Sequence, residues 1–215
     1  MNDEEEDDED EEGNEEGDEG SDLIPSDVIC KDKLLFNEQS RIIDGTTVVP
    51  NSWKWIVHLG NCGGSILSSE WIITAKHCIK FYQEGLSTVT AGLHNRNEAG
   101  EAVQERTMKK IIPHKGLDVA LIRVEPKFDL NDAFVSPACV QDDISEFNGK
   151  KCFVAGWGAR EELYAETEYS EGSGYPEELE STVITLNHKD CPAVSKHTIC
   201  AGGDNKVCFC GPFVL

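Results

Sequence analysis

Short apolar segments separated by polar turns dominate the chain from about Val48 onward. Several alternate apolar and polar positions, and no segment keeps a 3.6-residue period over several turns. Gly, Asn and Ser separate the segments, which is typical of antiparallel strands in barrels or sandwiches. The segments are residues 53–59, 64–67, 70–74, 119–124, 151–156 and 181–186. The pattern therefore predicts an all-β protein with antiparallel strands.

Two stretches of the chain are polar throughout. Residues 3–22 are almost entirely Asp, Glu and Gly, with fifteen acids and no Lys or Arg. They cannot bury enough apolar surface to offset the entropy of ordering, so residues 1–22 are expected to form a disordered acidic tail. The tail is either a solvated low-complexity run or a segment that binds a partner or cations. The Glu, Gly and Ser content of residues 159–180 predicts a long exposed loop.

The net charge of −22 comes from 41 acidic and 19 basic residues. Without the fifteen acids of the tail, 26 acids remain against 19 bases, a net charge of −7. Nucleic-acid binding requires clustered Lys and Arg opposite the phosphates, and no stretch here is strongly basic, so no nucleic-acid partner is expected. No run of about 18 apolar residues occurs, so no membrane-spanning segment is expected.

Nine cysteines indicate a disulfide framework and a secreted or extracellular location. The odd number leaves at least one thiol without an intramolecular disulfide partner. The first residues, Met1-Asn2-Asp3-Glu4, lack the basic and apolar regions of a signal peptide. The two observations agree if the N-terminus is incomplete or export is unusual.

His77 and Asp118 are the candidate catalytic residues. A bridge between Cys62 and Cys78 would close a loop of about 16 residues, worth about 3 kcal/mol in the chain-entropy model, and would hold the loop of His77 at the end of a strand. Proton transfer needs a general base that is held in place. Asp118 precedes the apolar strand 119–122, where a carboxylate must be hydrogen-bonded or paired, and an imidazole N–H is a suitable partner. Taken singly, His77 fits an ordinary exposed histidine and Asp118 fits a strand cap.

The chain from about Cys30 to Leu215 resembles the trypsin/chymotrypsin-like serine proteases. The motifs that carry the resemblance follow in the family's order: Arg41-Ile42-Ile43-Asp44-Gly45, Ser52-Trp53-Lys54-Trp55, Cys62-Gly63-Gly64-Ser65, Thr74-Ala75-Lys76-His77-Cys78, Asp118-Val119-Ala120-Leu121-Ile122, Gly156-Trp157-Gly158 and Ile199-Cys200-Ala201-Gly202. The resemblance implies two antiparallel six-stranded β-barrels with the active site in the cleft between them. It also implies hydrolysis of peptide bonds through an acyl-enzyme, with His77 as general base and Asp118 as the orienting carboxylate.

The resemblance further implies a zymogen. The expected activation bond is Arg41–Ile42, cut by an upstream protease with basic specificity. Residues 23–41 would then be the pro-segment, 42–147 the first barrel and 148–215 an incomplete second barrel. The expected partners are this activating protease and a protein or peptide substrate, and the domain is expected to be a monomer.

By resemblance, six of the cysteines form three disulfides: Cys30–Cys139, Cys62–Cys78 and Cys191–Cys200. This pairing leaves Cys152, Cys208 and Cys210 without partners. No cofactor and no metal are expected, since Leu93 replaces an acid of the calcium-binding members of the family.

The serine motif is the main departure from the family. The family's Cys-x-Gly-Asp-Ser-Gly-Gly-Pro corresponds here to Cys208-Phe209-Cys210-Gly211-Pro212, which is three residues shorter, and no Ser follows Ser195. The nucleophile, an acid partner for the Ile42 ammonium and the oxyanion-binding turn are therefore missing, and the polypeptide is expected to be inactive. The chain stops at Leu215, before the family's last strands, so the second barrel is expected to be truncated. Lys206 stands where the trypsin-like subgroup has an Asp, so the sequence does not predict Arg/Lys specificity.

Three hypotheses for function follow. The chain is a serine endopeptidase zymogen domain whose serine segment is damaged or incomplete. Alternatively, it is a non-catalytic homologue that acts as a binding or cofactor module. In the third, Cys210 is a surrogate nucleophile beside His77, since a thiolate can attack a carbonyl carbon.

Overall fold

Strands account for nearly all of the regular structure that the computed structural model describes. It describes residues 46–97, 100, 103–140, 149–158, 175–185, 199–201 and 207–209, the last two ranges by backbone only. The strands are β1 Thr46–Thr47, β2 Ile56–His58, β3 Gly63–Ile66, β4 Trp71–Thr74, β5 Thr88–Ala91, β6 Gln104–Pro113, β7 Ala120–Glu125, β8 Lys151–Gly156, β9 Glu180–Thr185, β10 Ile199–Ala201 and β11 Val207–Phe209. A 3-10 helix, Lys76–Phe81, follows β4. The all-β prediction is confirmed.

Six antiparallel strands form a closed barrel in the order β2-β3-β4-β7-β6-β5. The barrel closes where β2 pairs with β5, with Val57 opposite Ala91. Side chains alternate between the two faces of a strand, so in β7 Ala120, Ile122 and Val124 are buried inside. The buried barrel core consists of Val57, Leu59, Ile66, Ile72, Val89, Ala91, Met108, Ile122, Val124, Phe128 and Val135.

Gly64 of the Cys-Gly-Gly-Ser motif lies where β3 passes very close to its neighbours. A Cβ atom there would lie 2.9 Å from the carbonyl oxygen of Ile73 and 3.2 Å from Cγ2 of Val57. Real Cβ atoms do not approach a carbonyl oxygen so closely, so only glycine fits without displacing the strands. Packing within the barrel therefore explains the second glycine of the motif, Gly64.

A partial second sheet lies beside the barrel. Strands β1, β9 and β8 form it in that order, and β10 pairs with β11. A small core of Val48, Trp157 and Leu179 joins this sheet to the barrel. The indole N–H of Trp157 donates to the carbonyl oxygen of His94 at 3.1 Å. The structure thus agrees with the predicted fold, a closed six-stranded barrel next to an incomplete second one.

Several sequence predictions fall outside the described residues. These are the acidic tail 1–22, the pro-segment 23–41, the Arg41–Ile42 bond, Cys30, Cys191 and Cys210, and residues 159–174 of the predicted loop. The end of that loop is corrected, because β9 already begins at Glu180 and hydrogen-bonds along β8. In the described part of the chain, no helix has the length and apolar character needed to cross a membrane.

Candidate active site

The register of two barrel strands brings His77 and Asp118 together. The end of β4 pairs with the start of β7, and Thr74 lies opposite Ala120. Continued by two residues, this antiparallel register places position 76 opposite position 118. His77 is the second residue of the 3-10 helix that follows β4, and Asp118 lies two residues before the start of β7. Two residues 41 positions apart therefore meet at one end of the barrel.

Both oxygens of the Asp118 carboxylate contact His77. Oδ2 lies 2.7 Å from Nδ1 of the imidazole, and Oδ1 accepts the backbone N–H of His77 at 2.8 Å. An ionised carboxylate can only accept hydrogen bonds, so Nδ1 of a neutral His77 ring carries the proton. The lone pair then lies on Nε2. This arrangement fixes the tautomer of the ring and leaves Nε2 as the nitrogen that can accept a proton.

Hydrogen bonding keeps Asp118 ionised. Partial burial opposes its ionisation, but hydrogen bonds from the ring and the backbone of His77 and from the backbone of Lys76 outweigh burial. They hold the pKa of Asp118 below its ordinary value. The carboxylate is therefore negatively charged at neutral pH, as a group that stabilises an imidazolium must be.

Two links fix the segment that carries His77. A disulfide joins Cys62 to the buried Cys78, with the Cα atoms 6.2 Å apart. The hydroxyl of Thr74, itself buried, donates to the carbonyl oxygen of Gly63 at 2.8 Å. The segment around His77 is thus tied to the start of β3. Because the two sulfur atoms are bonded to each other, the group of Cys62, His77 and Cys78 offers no thiolate ligands to a metal.

The other predicted site residues are only partly described. Cys139 is disulfide-bonded, and Cys30, its predicted partner, lies outside the described residues. Cys152 is a buried free thiol. Cys200 lies opposite Cys208 in the β10–β11 pair. Cys191 and Cys210 lie outside the described residues, so the Cys191–Cys200 pairing and a nucleophilic role of Cys210 stay predictions.

Two residues that the sequence did not single out hold the loop of Asp118. Nζ of Lys76 donates to the carbonyl oxygen of His114 at 2.8 Å. The imidazole of His114 accepts backbone N–H groups of its own loop. The only sequence signal for these contacts is the position of Lys76 directly before His77, since hydrogen bonds to backbone carbonyls leave no pattern of residue types.

Comparison with known proteins identifies the family. The family model described as Trypsin matches residues 42–210, which is most of the chain. The chain belongs to the trypsin family. The predicted resemblance to trypsin-like serine proteases is therefore confirmed. The His77–Asp118 pair lies in a domain of this family.

Three relatives show how the trypsin-family chain compares with whole proteins. It is 33% identical over 175 residues to ovochymase-2 of Mus musculus, an alignment that covers 74% of the chain and 27% of the relative. It is 27% identical over 195 residues to serine protease SSP1 of Scolopendra subspinipes, covering 81% and 65%. It is 30% identical over 188 residues to the hepatocyte growth factor activator serine proteases of Canis lupus familiaris, covering 75% and 27%. The chain spans less than two thirds of the length of each relative.

Proposed function

We propose that this chain is a serine endopeptidase domain of the trypsin family that holds the general-base half of the active site. The observation that carries the proposal is the contact of both Asp118 oxygens with His77, at 2.7 and 2.8 Å. In peptide-bond hydrolysis, Nε2 of His77 takes the proton of a hydroxyl nucleophile as that oxygen attacks the carbonyl carbon. The imidazolium, stabilised by Asp118, then protonates the leaving amine, and water hydrolyses the acyl-enzyme.

The nucleophile half is incomplete in this polypeptide. The segment from Cys208 to Pro212 is three residues shorter than the family's serine motif and contains no Ser. Because the missing residues include the nucleophilic serine, the 215-residue polypeptide is expected not to form an acyl-enzyme. An oxyanion-binding turn is lost with the serine, and one oxyanion donor alone contributes about 10²–10³ in rate.

The domain is proposed to be made as an extracellular, monomeric zymogen. The family match begins at Ile42, the residue that cleavage of the Arg41–Ile42 bond would expose as a new N-terminus. The Cys62–Cys78 disulfide and a bonded Cys139 suit an oxidising compartment. The proposed partners are a protein or peptide substrate and an activating protease that cuts after basic residues. Treatment with trypsin followed by N-terminal sequencing is expected to yield Ile42, and an unchanged N-terminus would contradict the zymogen.

Sequencing the transcript across codons 199–215 and onward tests the endopeptidase. We expect codons for Gly-Asp-Ser-Gly between Cys208 and Pro212 in the natural message, followed by further sequence. A message that reads Cys208-Phe209-Cys210-Gly211-Pro212 and stops after codon 215 contradicts it.

A non-catalytic homologue is the second candidate, favoured by the same shortened segment. The family match covers residues 42–210, so the chain keeps the family's sequence pattern up to the segment that lacks the serine. Such a protein would bind a peptide or protein partner without cleaving it. It is expected to ignore fluorophosphonate probes and to unfold cooperatively in urea. A purified product that binds ANS strongly and melts without cooperativity would contradict this candidate, because it would lack a packed second sheet.

A further inference from the structure

His114 organises the loop that delivers Asp118. This loop joins β6 to β7 and begins with a backbone hydrogen bond from His114 N–H to the carbonyl oxygen of Val119 at 2.9 Å. Nδ1 of His114 accepts two further backbone N–H groups, from Gly116 at 3.0 Å and from Leu117 at 2.9 Å. Because Nδ1 accepts both, the ring carries its proton on Nε2. The exposed side chain of His114 therefore satisfies two backbone N–H groups of the turn that leads to Asp118.

Lys76 fastens this loop to the helix that carries His77. Its ammonium group donates to the carbonyl oxygen of His114 at 2.8 Å, and its own backbone N–H supports the Asp118 carboxylate. The loop is thus attached to the 3-10 helix at both ends, at His114 through a charged side chain and at Asp118 through backbone and ring of His77. A hydrogen bond from an ammonium group is stronger than a neutral one.

We propose that Lys76 and His114 are positioning residues that hold Asp118 against His77. Lys76 ties the start of the loop to the helix, and His114 shapes the loop between this tie and the carboxylate. Neither residue takes part in proton transfer in this account, since each acts through Asp118. A role of these two residues in catalysis rests on the proposed endopeptidase function. Their effect on the position of Asp118 relative to His77 does not require a nucleophile.

Lys80 offers a matched control. It lies in the same helix one turn on, is more exposed than Lys76, and places its ammonium 4.9 Å from the centre of the Phe81 ring. Replacing it removes the same charge from the same helix without touching the loop of Asp118. A comparison of Lys76→Ala with Lys80→Ala therefore separates a specific tie from a change in net charge.

The test is NMR on the full 215-residue chain, with two readouts. One is the low-field resonance of the His77 Nδ1 proton, and the other is the titration of the Asp118 carboxyl carbon. Lys76→Ala is expected to weaken the proton resonance and to raise the Asp118 midpoint by about 0.5–1 pH unit. Lys76→Arg, which keeps a charged donor, should stay near wild type, and so should Lys80→Ala.

Variants at His114 test the second part of the tie. His114→Ala removes the acceptor inside the turn and should shift both readouts in the direction of Lys76→Ala. His114→Asn offers an amide oxygen that accepts backbone N–H groups in turns, so it should restore part of the wild-type behaviour. If Lys76→Ala does not fold, Lys76→Met keeps the aliphatic stem and removes only the ammonium.

Wild-type readouts in Lys76→Ala or Lys76→Met, or equal shifts in Lys80→Ala, would overturn the proposal for Lys76. Wild-type readouts in His114→Ala would overturn it for His114. A failure of the endopeptidase proposal would appear in the transcript and would leave these spectra unchanged, so the two failures are distinguishable.

Discussion

The closed barrel and the partial second sheet of this chain differ in what they hold. The barrel has six strands, a continuous buried core and a His–Asp pair set by the register of β4 and β7. The second region has sheets of three and two strands among its described residues, and its serine segment is shortened. Both residues of the His77–Asp118 pair therefore come from the barrel, and the register of its strands brings them together.

The largest expected difference between the two regions is the loss of unfolding free energy when an isoleucine is shortened to alanine. Ile122 is fully buried in the barrel, whereas Ile184 of β9 is only partly buried. Ile122→Ala should lower the free energy of unfolding by about 2–5 kcal/mol, because it leaves a cavity in a packed core. Ile184→Ala should cost about 1 kcal/mol. Urea unfolding measures both, with Ile122→Val as the conservative control, and equal losses would show that the second sheet is packed as well as the barrel.

Substitutions of cysteines compare the stability of the same two regions, with a smaller expected difference in unfolding free energy. Removal of the Cys62–Cys78 bridge by a double substitution to Ala should cost about 3 kcal/mol, since the loop of 16 residues is no longer closed in the unfolded chain. Cys152→Ala, at a buried free thiol of β8, should cost about 1 kcal/mol. Thermal melting of the two variants is the measurement. A larger loss for Cys152→Ala would mean that the second sheet depends on this thiol more than the barrel depends on its disulfide.

As pH falls, the contact between the barrel and the second sheet should be destabilised before the His77–Asp118 pair. Partial burial and the charge of Arg96 lower the pKa of His58, whose ring meets Trp157 edge-on at 5.2 Å. A histidine with a lowered pKa in the folded state binds its proton more weakly there than in the unfolded chain. Its contribution to stability is therefore complete above the ordinary value of 6.5 and declines as pH falls below it towards the lowered value.

The indole N–H resonance of Trp157 and the melting temperature, followed from about pH 7.5 to 5, check this prediction. His58→Phe keeps a ring at the junction and should abolish most of the dependence on pH in this window. An undiminished dependence in His58→Phe would assign the effect to another group.

The smallest expected effect belongs to the barrel site itself, at lower pH. The pKa of Asp118 is held below its ordinary value of 3.8, so its contribution to stability is complete above that value. It is lost only as pH falls through the lowered value. Asp118→Asn should flatten the acid limb of a plot of stability against pH, measured by urea unfolding. An unchanged acid limb would show that hydrogen bonding to His77 does not stabilise the charged form. The side chain is 43% exposed, so solvent keeps the effect small.

The fold could be predicted from the sequence where strands carry their own apolar pattern. β4 and β7 do so, and together with the motifs they sufficed for an all-β protein of the trypsin family. β6 was missed because its outward positions include charged residues and because the side chain buried at its start is Gln104. The amide of Gln104 is hydrogen-bonded to backbone groups of Asp129, which makes a polar residue acceptable inside. A search for alternating apolar residues cannot find a strand in which a polar residue such as Gln104 is buried.

The start of β2 and the hydrogen bonds of the site could also not be predicted from the sequence. The predicted segment 53–59 begins with a turn, in which Ile56 N–H donates to the Trp53 carbonyl oxygen, so β2 starts at Ile56. The motifs pointed to His77 and Asp118, but not to the bond from the His77 backbone to the carboxylate or to the tie from Lys76 to His114. Those bonds depend on strand register and backbone position, which residue types alone do not encode.

The tautomer of His77 tests the central claim most directly. Nitrogen-15 NMR of the histidine-labelled chain, at a pH where the ring is neutral, distinguishes a proton on Nδ1 from a proton on Nε2. The account predicts a proton on Nδ1 in the wild-type chain, and its loss in Asp118→Asn. A wild-type His77 with its proton on Nε2, or a mixture of tautomers that Asp118→Asn leaves unchanged, would contradict the claim that Asp118 fixes the tautomer of His77 and leaves Nε2 to accept a proton.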